Sequence, residues 1–355
     1  MGVQTTQAFA SAVLTFFCRT RQHRTEWIPA HWHTDAMQMN TNNPGAGTDM
    51  GQTSAARPGR RWMVAAALAL SLSSATAFGQ APFTRLTDAA ALMQKNTDLK
   101  SQLAGSPFGR QLVLESSESS NTVDGSVYAV LNSSFAEVSR TFKSPEQWCE
   151  VLILHINTKY CRADSNAAPT RFKVNIGKKI PQPLSDAFAL DFGYELASTN
   201  AGYLSVLLSA PKGPLGTSNY KIELQAIPLP DNRTFMRLHY AYGYGATSRL
   251  AMQGYLATIG AGKVGFTQLT DGLEASYVGG LRGAAERNIM RYYLAIEAYQ
   301  ASMTKPAAVR LESRLNHWFD ATEEYPRQLR EVDKSSYLSM KKDEHQRQQS
   351  AQAEK

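Results

Sequence analysis

One stretch of the sequence matches a nucleotide-binding motif by letter, the Gly-Ala-Gly-Lys-Val-Gly run at Gly260–Gly265. A dinucleotide-binding G-x-G-x-x-G loop follows a strand and opens a helix, because the helix N-terminus holds the pyrophosphate. Here a predicted helix precedes the glycines and an extended segment follows them. A P-loop needs Ser or Thr after its lysine, and Val264 follows Lys263. The context therefore argues against both kinds of nucleotide site.

Acid–base and metal chemistry have no compact motif either. The sequence holds no G-x-S-x-G, no H-E-x-x-H and no paired-carboxylate spacing. The histidines after residue 77 are widely scattered, at His155, His239, His317 and His345. His155 lies on the apolar face of a predicted helix, which favours a hydrogen-bonded core histidine over a ligand. The sequence predicts no catalytic residue, no metal site and no cofactor.

A set of aromatic side chains is the stronger candidate for binding. Its members share the apolar faces of a predicted strand and two predicted helices: Tyr240, Tyr242, Tyr244, Asn288, Tyr292, Ile296, Tyr299 and Trp148. They either line a ligand tunnel, with hydroxyl groups orienting a polar head group, or they are ordinary core residues. Asn288 either faces a cavity or makes a structural hydrogen bond to a strand. Arg237 and His239 fall on the opposite face of the strand and are predicted to face solvent or the rim.

The elements that would position these residues follow from periodicity and capping signals. Residues 87–103 predict a helix, and 111–115 predict a short extended piece. Ser134 and Glu137 form a capping box, and Ser144-Pro145 opens a second helix. Alternating runs predict strands at 125–131, 170–178, 188–196, 220–227 and 234–244, and the more evenly apolar run 203–209 predicts another strand. Their tight, turn-rich joints favour antiparallel hairpins.

The C-terminal third carries the longest helical pattern, over Gly280–Met303. Before it, residues 249–259 predict a short helix and 263–269 an extended segment. After it, residues 307–347 predict a further helical region with Trp318, Phe319 and Leu329. That region either packs back on the domain or forms an amphipathic helix for a membrane surface or a partner.

An export signal precedes the globular region. Arg57, Arg60 and Arg61 flank an apolar run of about ten residues, too short to span a bilayer. The Ala75-x-Ala77 pattern predicts cleavage after Ala77; a buried core helix is the alternative. Residues 1–50 are interpreted as the product of a misassigned start codon. A periplasmic location in a Gram-negative bacterium is predicted.

Cysteine usage fits that compartment. Only Cys149 and Cys161 follow the predicted cleavage site. Two cysteines in an oxidising compartment predict a disulfide, and two buried thiols are the alternative. The spacing is not C-x-x-C, which argues against a redox-active pair.

Net charge gives little support for a nucleic-acid partner. The chain has a formal charge of +7, but residues 78–355 hold 31 basic and 27 acidic residues. No basic block is interleaved with aromatic residues, which nucleic-acid sites require.

The order of these elements resembles the START-like superfamily, also called SRPBCC, of polyketide cyclases and lipid-transport proteins. The resemblance lies in Val127–Val130, Ser133–Val138, Ser144–Trp148 and the closing Leu281–Met303 helix. It implies an α+β helix-grip fold, a curved antiparallel sheet wrapped around a long C-terminal helix. The predicted organisation is 1–77 upstream region and signal peptide, 78–119 helical segment and linker, 120–303 START-like domain, and 304–355 helical extension.

The resemblance also implies a function. A curved sheet wrapped around one helix leaves a largely apolar cavity, which in this superfamily holds a hydrophobic small molecule. Binding or transfer of a lipid, sterol or hopanoid-like molecule is therefore expected. The alternatives are a cyclase or aromatase that uses tunnel tyrosines or His155, and a non-catalytic envelope interaction protein. A membrane-surface or envelope partner would engage the C-terminal helix.

Overall fold

An eight-stranded antiparallel sheet forms the framework of the computed structural model, which describes residues 88–258, 260–269 and 276–353. The predicted signal peptide, its cleavage site and the upstream region lie outside these ranges. The strands run in the order β1-β2-β8-β7-β6-β5-β4-β3. They are β1 (Leu112–Glu118), β2 (Thr122–Leu131), β3 (Thr158–Asp164), β4 (Arg171–Ile176), β5 (Phe188–Thr199), β6 (Leu204–Lys212), β7 (Ser218–Pro228) and β8 (Thr234–Gly243).

Two short helices separate β2 from the six-strand meander, as the capping signals predict. They are α3 (Phe135–Phe142) and α4 (Pro145–Leu152), numbered after α1 (Ala89–Asp98) and α2 (Lys100–Ala104). The Ser134 hydroxyl accepts from the Glu137 amide, and the Glu137 carboxylate accepts from the Ser134 amide. The capping box at Ser134 and the Ser144-Pro145 helix start each involve only a few adjacent residues, so the starts of both helices could be predicted without knowing the rest of the fold.

The predicted disulfide between Cys149 and Cys161 is confirmed, with Cα atoms 5.2 Å apart. It joins α4 to β3, the edge strand that periodicity alone did not delimit. Both cysteines are fully buried.

The long helix lies across the concave face of the sheet. It is α6 (Gly280–Ser302), and it packs mainly on β2, β1 and β8. Gly125 of β2 permits the close approach: a Cβ atom there would lie 3.4 Å from Ile289 Cγ2. Every strand contributes apolar side chains to this face, so α6 and the sheet share one core. The structure therefore has the expected α+β helix-grip architecture.

The convex face of the sheet is also covered, which overturns one prediction. Phe235 and Tyr128 pack with Leu92 of α1 in a second, smaller apolar cluster. Arg237 and His239, predicted to face solvent or the rim, are buried, with exposed fractions of 0% and 7%. A strand's periodicity identifies the opposite face but not what packs on it.

The segment between β8 and α6 forms a helix and a loop. The helix α5 spans Ala246–Thr258, and the extended structure predicted for 263–269 is limited to the two-residue strand β9 (Gln268–Leu269), paired with β10 (Ser276–Tyr277). The loop is fixed to α6 by Glu286, whose carboxylate accepts the backbone N–H groups of Phe266 and Thr267.

The C-terminal extension packs back on the domain. It comprises α7 (Arg310–Glu323), α8 (Pro326–Leu329) and α9 (Lys334–Ala353). Trp318 Nε1 donates to the Arg291 carbonyl on α6 at 3.0 Å, and the Trp318 ring stacks on Tyr337. Trp318, Phe319 and Leu329 are thus buried inside the chain. Within the described ranges, no helix has the length and apolarity to cross a bilayer.

Candidate ligand-binding site

Four tyrosines from three elements meet on the concave face of the sheet. The rings of Tyr220 and Tyr242 stack at 5.3 Å between centroids, and Tyr240 lies 5.8 Å from Tyr292 of α6. Tyr244 continues the row, 6.4 Å from Tyr242. Alternation along β8 places Tyr240, Tyr242 and Tyr244 on this face. Tyr220 was not predicted as a site residue, although its position at the start of the alternating β7 run could have indicated it.

Part of this aromatic surface keeps accessible area between the sheet and the helix, and this region is termed the recess. Tyr220, Asn288 and Tyr292 are only half-buried, although they lie between the two layers. Burial nevertheless raises the pKa of Tyr220 to about 12 and that of Tyr292 well above its ordinary value. The desolvation of both phenols fits their position between the two layers, where each keeps part of its surface accessible. These phenols are protonated at neutral pH and can donate hydrogen bonds.

Asn288 connects the helix to the tyrosine row. Burial raises the pKa of Tyr240 far above its ordinary value, and a side-chain hydrogen bond with Asn288 acts in the opposite direction. Asn288 thus acts on a tyrosine of β8 and keeps accessible surface, so both predicted roles, facing a cavity and bonding to a strand, stay predictions.

The structure does not bring every predicted residue to this recess. Trp148 packs edge-to-face on Phe142 at 4.8 Å and donates to the Phe142 carbonyl. The Arg314 guanidinium carbon lies 4.1 Å from the centroid of the Tyr299 ring, and the Tyr299 hydroxyl donates a hydrogen bond to the Gln147 side chain. Ile296 is fully buried in the core. Ile296 and Tyr299 share the α6 face of Tyr292, whereas Trp148 belongs to α4, and Trp148 and Tyr299 serve the packing of α3, α4 and α7.

A cluster of four basic side chains lies beside the recess, and the sequence did not predict it. The cluster consists of Lys179, Lys263, Arg287 and Arg291, and its central carboxylate is Glu331. Lys179 Nζ donates to Glu331 at 2.6 Å, and Arg291 Nη2 donates to it at 2.7 Å. Lys263 Nζ lies 3.9 Å from the same carboxylate. The members come from the β4–β5 connection, the glycine-rich loop, α6 and the α8–α9 connection, so no sequence spacing reveals them.

Burial sets the protonation behaviour of this cluster. It lowers the pKa of Lys179 to about 8 and that of Arg287 to about 10, and the neighbouring Arg291 charge acts in the same direction. Both groups are predominantly protonated at pH 7. The glycine-rich loop thus contributes Lys263 to an electrostatic cluster and does not have the strand-loop-helix context of a nucleotide site.

His155 is a core residue, as the sequence favours. It is 2% exposed, its ring lies 4.5 Å from that of Tyr292, and its Nδ1 accepts the Asn157 amide. Burial lowers the pKa of His155 well below its ordinary value, and Arg291 and Lys341 add to the effect. The ring is therefore neutral at pH 7.

A separate cavity of about 650 Å³ lies between α6, α7 and the loop before β1. Its lining is polar and charged and includes Arg110, Glu297 and His317. Arg110 Nε pairs with Glu297 at 2.9 Å. None of the predicted ligand-binding residues lines this cavity, so it is distinct from the aromatic recess.

Comparisons with known proteins add structural likenesses of low similarity. No family model and no curated protein matches the chain. Norcoclaurine synthase from Thalictrum flavum is similar at 13% identity, covering 40% of this chain and 92% of that chain, with a TM-score of 0.29. Human StAR-related lipid transfer protein 5 is similar at 10% identity, covering 61% and 98%, with a TM-score of 0.31. The human StarD13 lipid transfer and protein localization domain is similar at 10% identity, covering 48% of this chain and 91% of that chain, with a TM-score of 0.26.

The chain has an α+β helix-grip fold. The element order and the long helix across the concave face carry this conclusion. In this fold, the recess lies where the concave face of the sheet and α6 face each other.

Proposed function

We propose that this chain binds a hydrophobic small molecule in the recess between the concave face of the sheet and α6. The observation that carries the proposal is the partly accessible, strongly desolvated aromatic surface of Tyr220 and Tyr292. Apolar walls with a few convergent polar groups are the composition of small-molecule sites. Here Asn288 and the protonated phenols would supply the polar groups. Lipid, sterol or hopanoid-like molecules are the proposed class, and transfer between membranes is the proposed use.

Filling the recess is expected to weaken binding of an uncharged lipid probe. The probe is the methyl ester of cis-parinaric acid, whose fluorescence rises on leaving water. Asn288→Trp places an indole between the sheet and α6, and it is expected to weaken the apparent affinity at least about tenfold, since about 1.4 kcal/mol corresponds to tenfold. Ala301→Trp is the matched control, because Ala301 is exposed on the same helix.

The titration has clear contrary outcomes. An unchanged affinity for N288W, with a melting curve that shows a folded protein, would place the ligand elsewhere. If N288W unfolds, Tyr292→Trp tests the same recess with a smaller increase in volume. Failure of the wild-type chain to bind the ester, together with no hydrophobic mass in native mass spectrometry, would refute the proposal.

We further propose that the protein acts in the periplasm. The predicted signal peptide supports this, as does the buried disulfide between Cys149 and Cys161. The mature protein is expected to begin at Phe78, and its two cysteines should resist alkylation until reduced. Reduction is expected to lower the free energy of unfolding by roughly 2–3 kcal/mol, because the cross-link closes a short loop. N-terminal sequencing, thiol labelling and urea unfolding check these outcomes, and an unprocessed, alkylatable protein would contradict them.

A further inference from the structure

The basic cluster beside the recess has more positive than negative charge. Three of its four cations, Lys179, Lys263 and Arg291, lie within 4 Å of Glu331, which accepts hydrogen bonds from Lys179 and Arg291. The two other nearby carboxylates are engaged elsewhere. Glu286 accepts from the backbone of Phe266 and Thr267, and Glu323 pairs with the exposed Arg330.

Arg287 is the member of the cluster that forms no ion pair within 4.0 Å with another described residue. Its exposed fraction is 5%, and its Nη1 atom is buried without a hydrogen-bond partner among the described residues. The Nε atom of Arg291 is in the same situation. Buried polar groups in folded proteins are nearly always hydrogen-bonded, and a buried cation without a partner carries a large desolvation cost. Such a group needs a functional explanation.

The charge of Arg287 acts on a tyrosine of the aromatic recess. Among the influences on the pKa of Tyr242, burial is the largest and raises it, while the Arg287 charge opposes that increase. Tyr255 of α5 is close enough that Arg287 and Arg291 both act on its pKa against the effect of burial. On α6, Arg287 and Arg291 directly precede Asn288 and Tyr292, so the guanidinium groups and the aromatic side chains form two neighbouring stripes along one helix.

We propose that Arg287, supported by Arg291 and Lys179, holds the anionic head of an amphiphile whose hydrophobic body lies along Tyr242, Tyr220 and Tyr292. The head is an oxyanion, a carboxylate or a phosphate, which guanidinium N–H groups bind with charge-assisted hydrogen bonds. This inference rests on the proposed function and names its ligand class. Glu331 positions Lys179 and Arg291 and leaves Arg287 to the ligand.

Titration of the chain with matched charged and uncharged probes tests this inference. The wild-type chain is expected to bind cis-parinaric acid about tenfold to a hundredfold more tightly than its methyl ester, as one charge-assisted contact provides. Arg287→Gln is expected to remove that preference and leave the affinity for the ester unchanged. Arg287→Lys, which keeps the charge, is expected to restore part of it.

Stability separates ligand binding from a structural role. If Arg287 awaits an anion, R287Q should melt at the same or a higher temperature than the wild type without ligand, because it removes an unpaired buried charge. A large fall in melting temperature would make Arg287 a structural residue and overturn the proposal. Arg327→Gln is the matched control on the surface, since Arg327 is exposed and lies over Tyr277.

The comparison of acid and ester also separates failure of this inference from failure of the proposed function. Equal binding of acid and ester refutes the anionic head but leaves the proposed function standing, whereas no binding of either refutes the proposed function itself. Lysophosphatidic acid and monoacylglycerol form a second pair that distinguishes a phosphate head from a carboxylate. Inorganic phosphate or acetate that binds as tightly as the amphiphiles would assign the cluster to a free anion and overturn the proposal.

Discussion

Replacing Glu331 with glutamine is expected to destabilise the folded chain by about 3–5 kcal/mol, because it leaves buried cations without their shared carboxylate. Glu331 is 11% exposed and bonds Lys179 and Arg291, which are themselves largely buried. A neutral amide can accept a hydrogen bond from either group but cannot offset their charges. Urea unfolding at pH 7 measures the loss as a change in midpoint at constant slope.

A matched control separates burial from charge alone. Glu312 pairs with Lys342, and both side chains are about half exposed, at 51% and 47%. Glu312→Gln is expected to cost less than about 1 kcal/mol, as surface ion pairs do. Equal losses for E331Q and E312Q would show that the cluster is hydrated and would weaken its description as a buried charge centre.

The Glu331 effect has a defined pH dependence. Burial by itself raises the pKa of Glu331, and the charges of Arg291 and Lys179 outweigh it, so the folded-state pKa lies below its ordinary value. A depressed carboxyl pKa gives stability that is fully present above the unfolded-state pKa of about 4.3 and is lost as the pH falls through the folded-state pKa. The difference in stability between the wild type and E331Q should therefore begin to shrink at about pH 4.3 and vanish below the lower folded-state pKa.

Ending the chain after Lys305 is expected to prevent stable folding, even though the whole of the predicted 120–303 domain remains. The truncation removes Trp318, Phe319 and Tyr337, which cover the outer face of α6 and are almost fully buried. It also removes Glu331 from the basic cluster. Circular dichroism melting and limited proteolysis measure the outcome.

A point variant keeps this expectation testable when the truncated chain does not accumulate. Trp318→Ala is expected to cost about 3–5 kcal/mol, because it leaves a cavity where the indole packs on Tyr337. Removal of residues 351–355 alone serves as the length control. Cooperative melting of the Lys305-terminated chain near the wild-type temperature would show that the extension is an accessory rather than part of the core.

Local signals in the sequence predicted much of the fold correctly. The capping box at Ser134 and the alternation along β8 each depend on a few adjacent residues, and the structure contains both. The edge strand β3 was not delimited, because its sequence Thr158–Asp164 lacks a clear apolar–polar alternation and is buried at nearly every position. The resemblance to START-like proteins joined these elements into one architecture.

In the candidate site, too, local periodicity predicted some residues and only tertiary packing placed the others. The sequence by itself determined the aromatic face of β8 and its counterpart on α6, because the repeats of strands and helices fix which side chains share a face. Only the tertiary structure decided that Tyr220 and Asn288 border a recess, that Arg237 and His239 are buried, and that Lys179, Arg287, Arg291 and Glu331 meet. Burial and charge clustering depend on which distant segments pack together, and the spacing of residues along the chain carries no record of that.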